Sequence, residues 1–157
     1  CGDICQKLII PIPNTMNCEE LWEEIAQKSP QMIEETLIGL KNKTLTPVKQ
    51  CEDGLCMASK LTKEECQIDW SKTNTEIHNL VRGVCRCPSA YFYHNDKLIK
   101  VIESKPIEGK CQVGEICVNS KEGIDIGCGE GILRILKVKP EGKGEMNARD
   151  WYNGVKK

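Results

Sequence analysis

The chain has 157 residues and a formal net charge of −1, with 22 Lys and Arg against 23 Asp and Glu. That balance argues against a nucleic-acid partner, which selects a basic protein, and no apolar run reaches the ~18–20 residues of a membrane span. One Phe, three Tyr and three Trp are a thin aromatic supply for a core, whereas there are eleven Cys, so disulfides are expected to add about 2–4 kcal/mol each.

In chain order, residues 6–13, QKLIIPIP, read as an extended segment stopped by prolines. Asn17 with Glu20 three residues on makes a capping-box pattern, and Met16 can staple onto Leu21. Cys18, Leu21, Trp22 and Ile25 recur at helical spacing. Ser29-Pro30 restarts the helical grammar, and Met32, Ile33, Leu37 and Leu40 continue it. The pattern predicts two consecutive helices, or one kinked helix, over 17–40. Asn42-Lys43-Thr44 is an N-glycosylation sequon. Cys51 and Cys56 close a turn, Thr62 and Glu65 cap a short helix carrying Cys66, and Thr75 caps another that turns Ile77, Leu80 and Val81 inward.

From 85 onward the texture is strand and turn. Residues 91–93 form a strand, 94–96 a turn and 98–102 the return strand. A second hairpin joins 115–119 to 124–128, and 132–139 is the last strand. These elements predict an α+β fold: a small disulfide-rich protein with a helical N-terminal half and an antiparallel β C-terminal half. The chain divides into a mainly helical region 1–84, a stapled β region 85–140 and a basic tail 141–157, unless all three form one domain.

All eleven cysteines, Cys1, Cys5, Cys18, Cys51, Cys56, Cys66, Cys85, Cys87, Cys111, Cys117 and Cys128, are disulfide candidates. No C-x-x-C occurs, and neither His78 nor His94 stands at ligand spacing from a cysteine, so the expectation is bridges rather than metal. Bridges place the protein in an oxidising compartment. The odd count leaves one cysteine unpaired or joined to a second chain. A sequence opening Cys1-Gly2-Asp3 reads as a secreted product whose signal peptide has been removed.

Catalytic motifs are missing: no G-x-S-x-G, H-E-x-x-H, P-loop or G-x-G-x-x-G occurs. The glycine-rich run 127–131 precedes a strand, not a helix, and reads as a tight turn around a disulfide. A non-enzymatic protein without metal or cofactor is therefore expected. Arg86, held between Cys85 and Cys87, could enter an acidic protease pocket, although Pro88 follows almost at once. Tyr91 and Tyr93 share one face of their strand and serve either as interface anchors or as cross-strand packing. Trp151 and Tyr152 beside Lys156 and Lys157 suit the mouth of a cation channel, unless Trp151 folds back onto the domain.

The Cys1-Gly-Asp-Ile-Cys5 start, the Asn17-Cys18-Glu-Glu-Leu-Trp22 stretch, Cys85-Arg-Cys87-Pro88 and the abundance of lysine resemble cysteine-rich secreted proteins of arthropod venom and saliva, such as the larger scoloptoxins of centipedes. The resemblance implies a secreted, extracellular toxin-like effector that binds an extracellular or membrane protein, an ion channel among them. Two alternatives stand beside it. One is an inhibitor or sequestering protein for a soluble partner such as a protease or growth factor; the other is a subunit of a disulfide-linked dimer.

Overall fold

A reciprocal capping box starts the first helix. The Asn17 side chain accepts from the N–H groups of Glu19 and Glu20 at 2.8 and 3.1 Å, and the Glu20 carboxylate accepts from Asn17 N–H at 2.8 Å. The helix α1 (Cys18–Lys41) then runs unbroken through Pro30. A proline there removes one i→i−4 bond, and the Ser29 hydroxyl donates to the Ile25 carbonyl at 2.6 Å in the same turn. The chain reverses after α1 at Gly39, whose carbonyl accepts from Thr44 N–H and Leu45 N–H. A Cβ on Gly39 would stand 2.9 Å from that of Leu45, so only glycine permits the close return.

A computed structural model describes residues 2–84 and 88–155 and divides the chain into two units, Cys1–Lys60 and Leu61–Lys157. The first unit contains α1 and an antiparallel bridge between Ile4 and Val48. The Thr36 hydroxyl also donates to the Gln6 side-chain oxygen at 2.6 Å, which ties the extended segment to α1. Among the described residues of this unit only Gly39 is buried.

The second unit is built on an antiparallel sheet of β1 (Tyr91–His94), β2 (Lys97–Ile107), β3 (Ile116–Asn119), β4 (Ile124–Gly127), β5 (Ile132–Pro140) and β6 (Met146–Asn147). The strand order is β1-β2-β5-β4-β3, with β6 also on β5. Asn95 and Asp96 connect β1 to β2 with φ of 49° and 60°, the left-handed pair that a two-residue hairpin requires. An irregularity at 101–104 of β2 disturbs its pairing with β5 locally, and the register is the same on either side of it. One face of the sheet pairs Val101 with Val138, Ser104 with Ile135 and Pro106 with Leu133. Ile77 and Val81 of α2 (Asn74–Gly83) and Ala148 and Trp151 of α3 (Ala148–Val155) belong to the same core. Phe92 meets Trp70 and Trp151 edge-on at 5.5 and 6.1 Å between centroids.

The structure corrects the disulfide-rich expectation. Cys111 and Cys117 are bridged and Cys18 is also disulfide-bonded, but Cys5, Cys51, Cys56, Cys66 and Cys128 are free thiols. Cys66 and Cys128 are buried and act as small apolar core residues. The 127–131 turn therefore closes around a buried thiol, not a bridge. Its tightness comes from Gly129, where a Cβ would lie 1.9 Å from the Ser71 carbonyl oxygen. The contrast between a helical half and a β half is corrected too. The helix α2 is capped by Thr73 with Glu76, not by Thr75, and it packs on the sheet together with α3, so helices and strands share one core.

Candidate functional site

The solvent face of the sheet holds rows of basic side chains, some neutralised by carboxylates and some not. On β2, Ile99, Val101 and Ser104 are buried, while Lys100, Glu103 and Lys105 lie on the opposite face. Register across β2 and β5 sets Lys100 opposite Lys139, Glu103 opposite Lys137 and Lys105 opposite Arg134. Two of these rows are neutralised. Lys137 meets Glu103 at 2.9 Å, and this hydrogen bond raises its pKa. Arg134 donates to both oxygens of the buried Asp125 at 2.6 and 2.8 Å and to Glu122 at 2.8 Å. These hydrogen bonds, led by Asp125, hold its guanidinium charged far above the usual range. Glu122 also accepts from Lys105 at 2.9 Å, and that bond is the main cause of its lowered pKa.

The Lys100–Lys139 row is different. Two ammonium groups stand opposite each other, and among the described residues no carboxylate pairs with either. Like charges directly across a sheet are destabilising, so the fold does not call for this pair. Beside the row, Tyr93 is 54% exposed, and its ring meets that of Tyr91 edge-on at 5.8 Å. A half-buried Lys100 and an exposed Lys139 next to an exposed aromatic ring can grip phosphates and stack a base.

The residues singled out from sequence are scattered. Tyr91 is buried, with the Lys63 ammonium 5.9 Å from its ring centroid. Trp151, 5% exposed, forms part of the core, and the half-buried Tyr152 lies 6.2 Å from His94. His94, read from sequence as part of a turn and set aside as a metal ligand, joins β1 to α3 through its 5.4 Å contact with Trp151. Asn42 is exposed at the C-cap of α1. Cys1, Cys85, Arg86, Cys87, Lys156 and Lys157 lie outside the described residues. Lys100 and Lys139 were missed. Their only sequence signal is alternation with apolar residues in two separate segments, because their meeting depends on register.

A cavity of about 660 Å³ opens at the start of α2, between Thr73, Asn74, Lys110 and Gly129. Two of its polar side chains, those of Thr73 and Asn74, are already hydrogen-bonded. Asn74 donates to the carbonyls of Ile107 and Ile132 at 2.9 and 3.2 Å, and the Glu76 carboxylate closes the helix N-terminus through Thr73. Those hydrogen bonds hold the Glu76 pKa below the usual carboxylate range.

Three comparisons identify relatives. The family profile of the formyl transferase C-terminal domain matches residues 60–156. Methionyl-tRNA formyltransferases from Rickettsia felis, Clostridium novyi and Citrifermentans bemidjiense are 34, 32 and 35% identical over 98–99% of this chain. The chain spans about half the length of these curated relatives (49–50%). Among solved structures, HypX from Aquifex aeolicus in complex with tetrahydrofolic acid superposes with a TM-score of 0.75 at 17% identity, over 99% of this chain and 28% of that one. WlaRD, a sugar 3N-formyl transferase, gives 0.66 at 17%, over 91% and 51%. At such identity these two likenesses show the fold alone.

These matches overturn the functional expectations. Nothing in them resembles venom or saliva proteins, so the scoloptoxin resemblance, the toxin and channel-modulator role and the extracellular protein target are all corrected. The secreted location fails with them; it rested on cysteines as bridges, and five of those in the described residues are free. The non-enzymatic expectation fails because the relatives are transferases, and the exclusion of nucleic acid fails because the curated relatives named above are named for a tRNA. The fold of the second unit is a curled antiparallel half-barrel with helices, not that of a small disulfide-rich protein. The chain belongs to the formyl transferase C-terminal domain family.

Proposed function

We propose that this chain is the substrate-docking half of a formyltransferase acting on methionyl-tRNA, with the Tyr93, Lys100 and Lys139 face of the sheet holding the RNA. The observation that carries the reading is the 32–35% identity to methionyl-tRNA formyltransferases, which runs through both units. The local charge supports it. Overall neutrality hides a face where two lysines lack counter-ions, and phosphate contacts need local charge, not net charge. In the overall reaction a formyl carbon leaves the donor and bonds to the methionine amino nitrogen, which loses a proton to the released donor. No step of that transfer is assigned to residues of this chain; their role is to bind and orient.

The test is a fluorescence-anisotropy titration of the protein with labelled methionyl-tRNA at several salt concentrations. The reading predicts saturable binding whose log affinity falls linearly with log salt, by a little under one per phosphate neutralised. Saturable binding of a nucleotide sugar without any binding of methionyl-tRNA would overturn it.

A further inference from the structure

Of the five free thiols among the described residues, only two are exposed, and they flank the same turn. Cys51 and Cys56 stand on either side of Glu52-Asp53-Gly54-Leu55. The Glu52 carbonyl accepts from Leu55 N–H at 3.2 Å, and Gly54 has the φ of 74° that the third residue of a type II turn requires. Such a turn holds the Cα atoms of its end residues within about 7 Å, so its two flanks return toward each other. A disulfide needs Cα atoms about 4.4–6.8 Å apart. Cys111 and Cys117, one residue further apart in sequence, meet that at 6.2 Å.

The surroundings leave this pair free to react and to close. From Lys49 to Leu61 the chain forms no helix or strand, and every residue is exposed. The movement that joins the two sulfurs therefore disturbs no core. Cys66 and Cys128 are placed differently: both are buried, and burial pushes both thiols up. At neutral pH they stay protonated and inert. An open recess of about 470 Å³ lies beside Cys51, lined also by Asp3, Lys49 and Leu55, whereas Cys56 is not among its walls. An ammonium and a carboxylate on its rim suit a small disulfide that carries charges of both signs.

We propose that Cys51 and Cys56 form a reversible thiol–disulfide exchange site for small peptide disulfides, with Cys51 as the nucleophile and Cys56 as the resolving thiol. The Cys51 thiolate attacks one sulfur of the small disulfide, forms a mixed disulfide and releases one thiolate. The Cys56 thiolate then attacks the Cys51 sulfur, which closes the Cys51–Cys56 bond and releases the second. The two protons lost by the cysteines end on the two released thiols, so one small disulfide is reduced as one dithiol is oxidised. Excess small thiol runs both steps backwards. The inference does not depend on the formyltransferase reading.

The test incubates the whole 157-residue chain with glutathione disulfide, quenches samples with an alkylating reagent and maps them by peptide mass spectrometry. The peptide holding Cys51 and Cys56 is expected to lose two hydrogens at least tenfold faster than Cys66 or Cys128 is modified, and excess reduced glutathione should restore both thiols. Cys56→Ser should trap glutathione on Cys51, whereas in Cys51→Ser glutathione should add to Cys56 at least tenfold more slowly. Both residues are exposed, so neither substitution removes core packing. Glutathione that persists on Cys51 and Cys56 together in the unsubstituted chain overturns the inference, because the two thiols then act independently. So does a bridge from Cys51 to any other cysteine, or equal trapping in the two variants.

Discussion

The same helix-starting device opens α1 and α2 and leads to opposite results. Asn17 with Glu20, and Thr73 with Glu76, make equivalent reciprocal boxes. Beyond its box, α2 buries Ile77 and Val81 against a sheet, whereas α1 buries only Gly39 and leaves Trp22, Ile33 and Leu37 exposed. All the buried apolar residues described in the chain lie in Leu61–Lys157. A cap fixes where a helix begins; whether the helix contributes stability depends on what lies across its apolar face.

The sharpest way to break this comparison is to truncate one tryptophan in each unit. Trp151→Ala is expected to lower the unfolding free energy of the second unit by about 3–5 kcal/mol, read from the urea midpoint by circular dichroism. Trp22→Ala should change it by less than about 0.5 kcal/mol. Equal losses would contradict the exposed placement of Trp22.

Ion pairs give the next contrast. Arg134→Ala leaves the buried Asp125 carboxylate without its bidentate partner, and about 2–3 kcal/mol should be lost, less than for a fully buried pair because Arg134 reaches the surface. Lys28→Ala breaks an exposed i,i+4 pair with Glu24 and should cost under about 0.5 kcal/mol. Denaturant titrations of both variants check the difference. Smaller still, Thr73→Ala should remove about 1 kcal/mol from the second unit. Asn17→Ala should reduce helical signal without moving that unit's transition.

The smallest effect is one of pH. Burial pushes the thiols of Cys66 and Cys128 above their ordinary value of 9.0. A raised folded-state pKa leaves the stability contribution complete below that ordinary value. It is lost as pH rises from there through the folded-state value, because the unfolded chain ionises first. Urea midpoints should therefore fall above about pH 9, and less so in Cys128→Ala. At neutral pH an alkylating reagent should reach the exposed Cys51 and Cys56 well before the two buried thiols.

Local grammar was legible where a residue acts on its near neighbours. The Asn17 box, the Thr62–Glu65 pair before Cys66 and the 91–102 hairpin can all be read from spacing. The Thr73-x-x-Glu76 box was equally legible, and was passed over for Thr75. The 148–155 segment looked like a basic tail, although Ala148, Trp151 and Val155 stand at helical spacing. Two features were beyond local reading. Lys100 meets Lys139 only because the β2–β5 register brings them level. Eleven cysteines marked a secreted class only if they pair, and two of them fill a core instead.

The central claim, that RNA is held on the sheet face of the second unit, is tested most directly by charge reversal in each unit. Lys100→Glu with Lys139→Glu should weaken methionyl-tRNA binding by at least tenfold and make the salt slope shallower by about one to two. Lys41→Glu with Lys43→Glu in the first unit should leave both nearly unchanged. Equal weakening by the two pairs, or none from the sheet pair, would contradict the account.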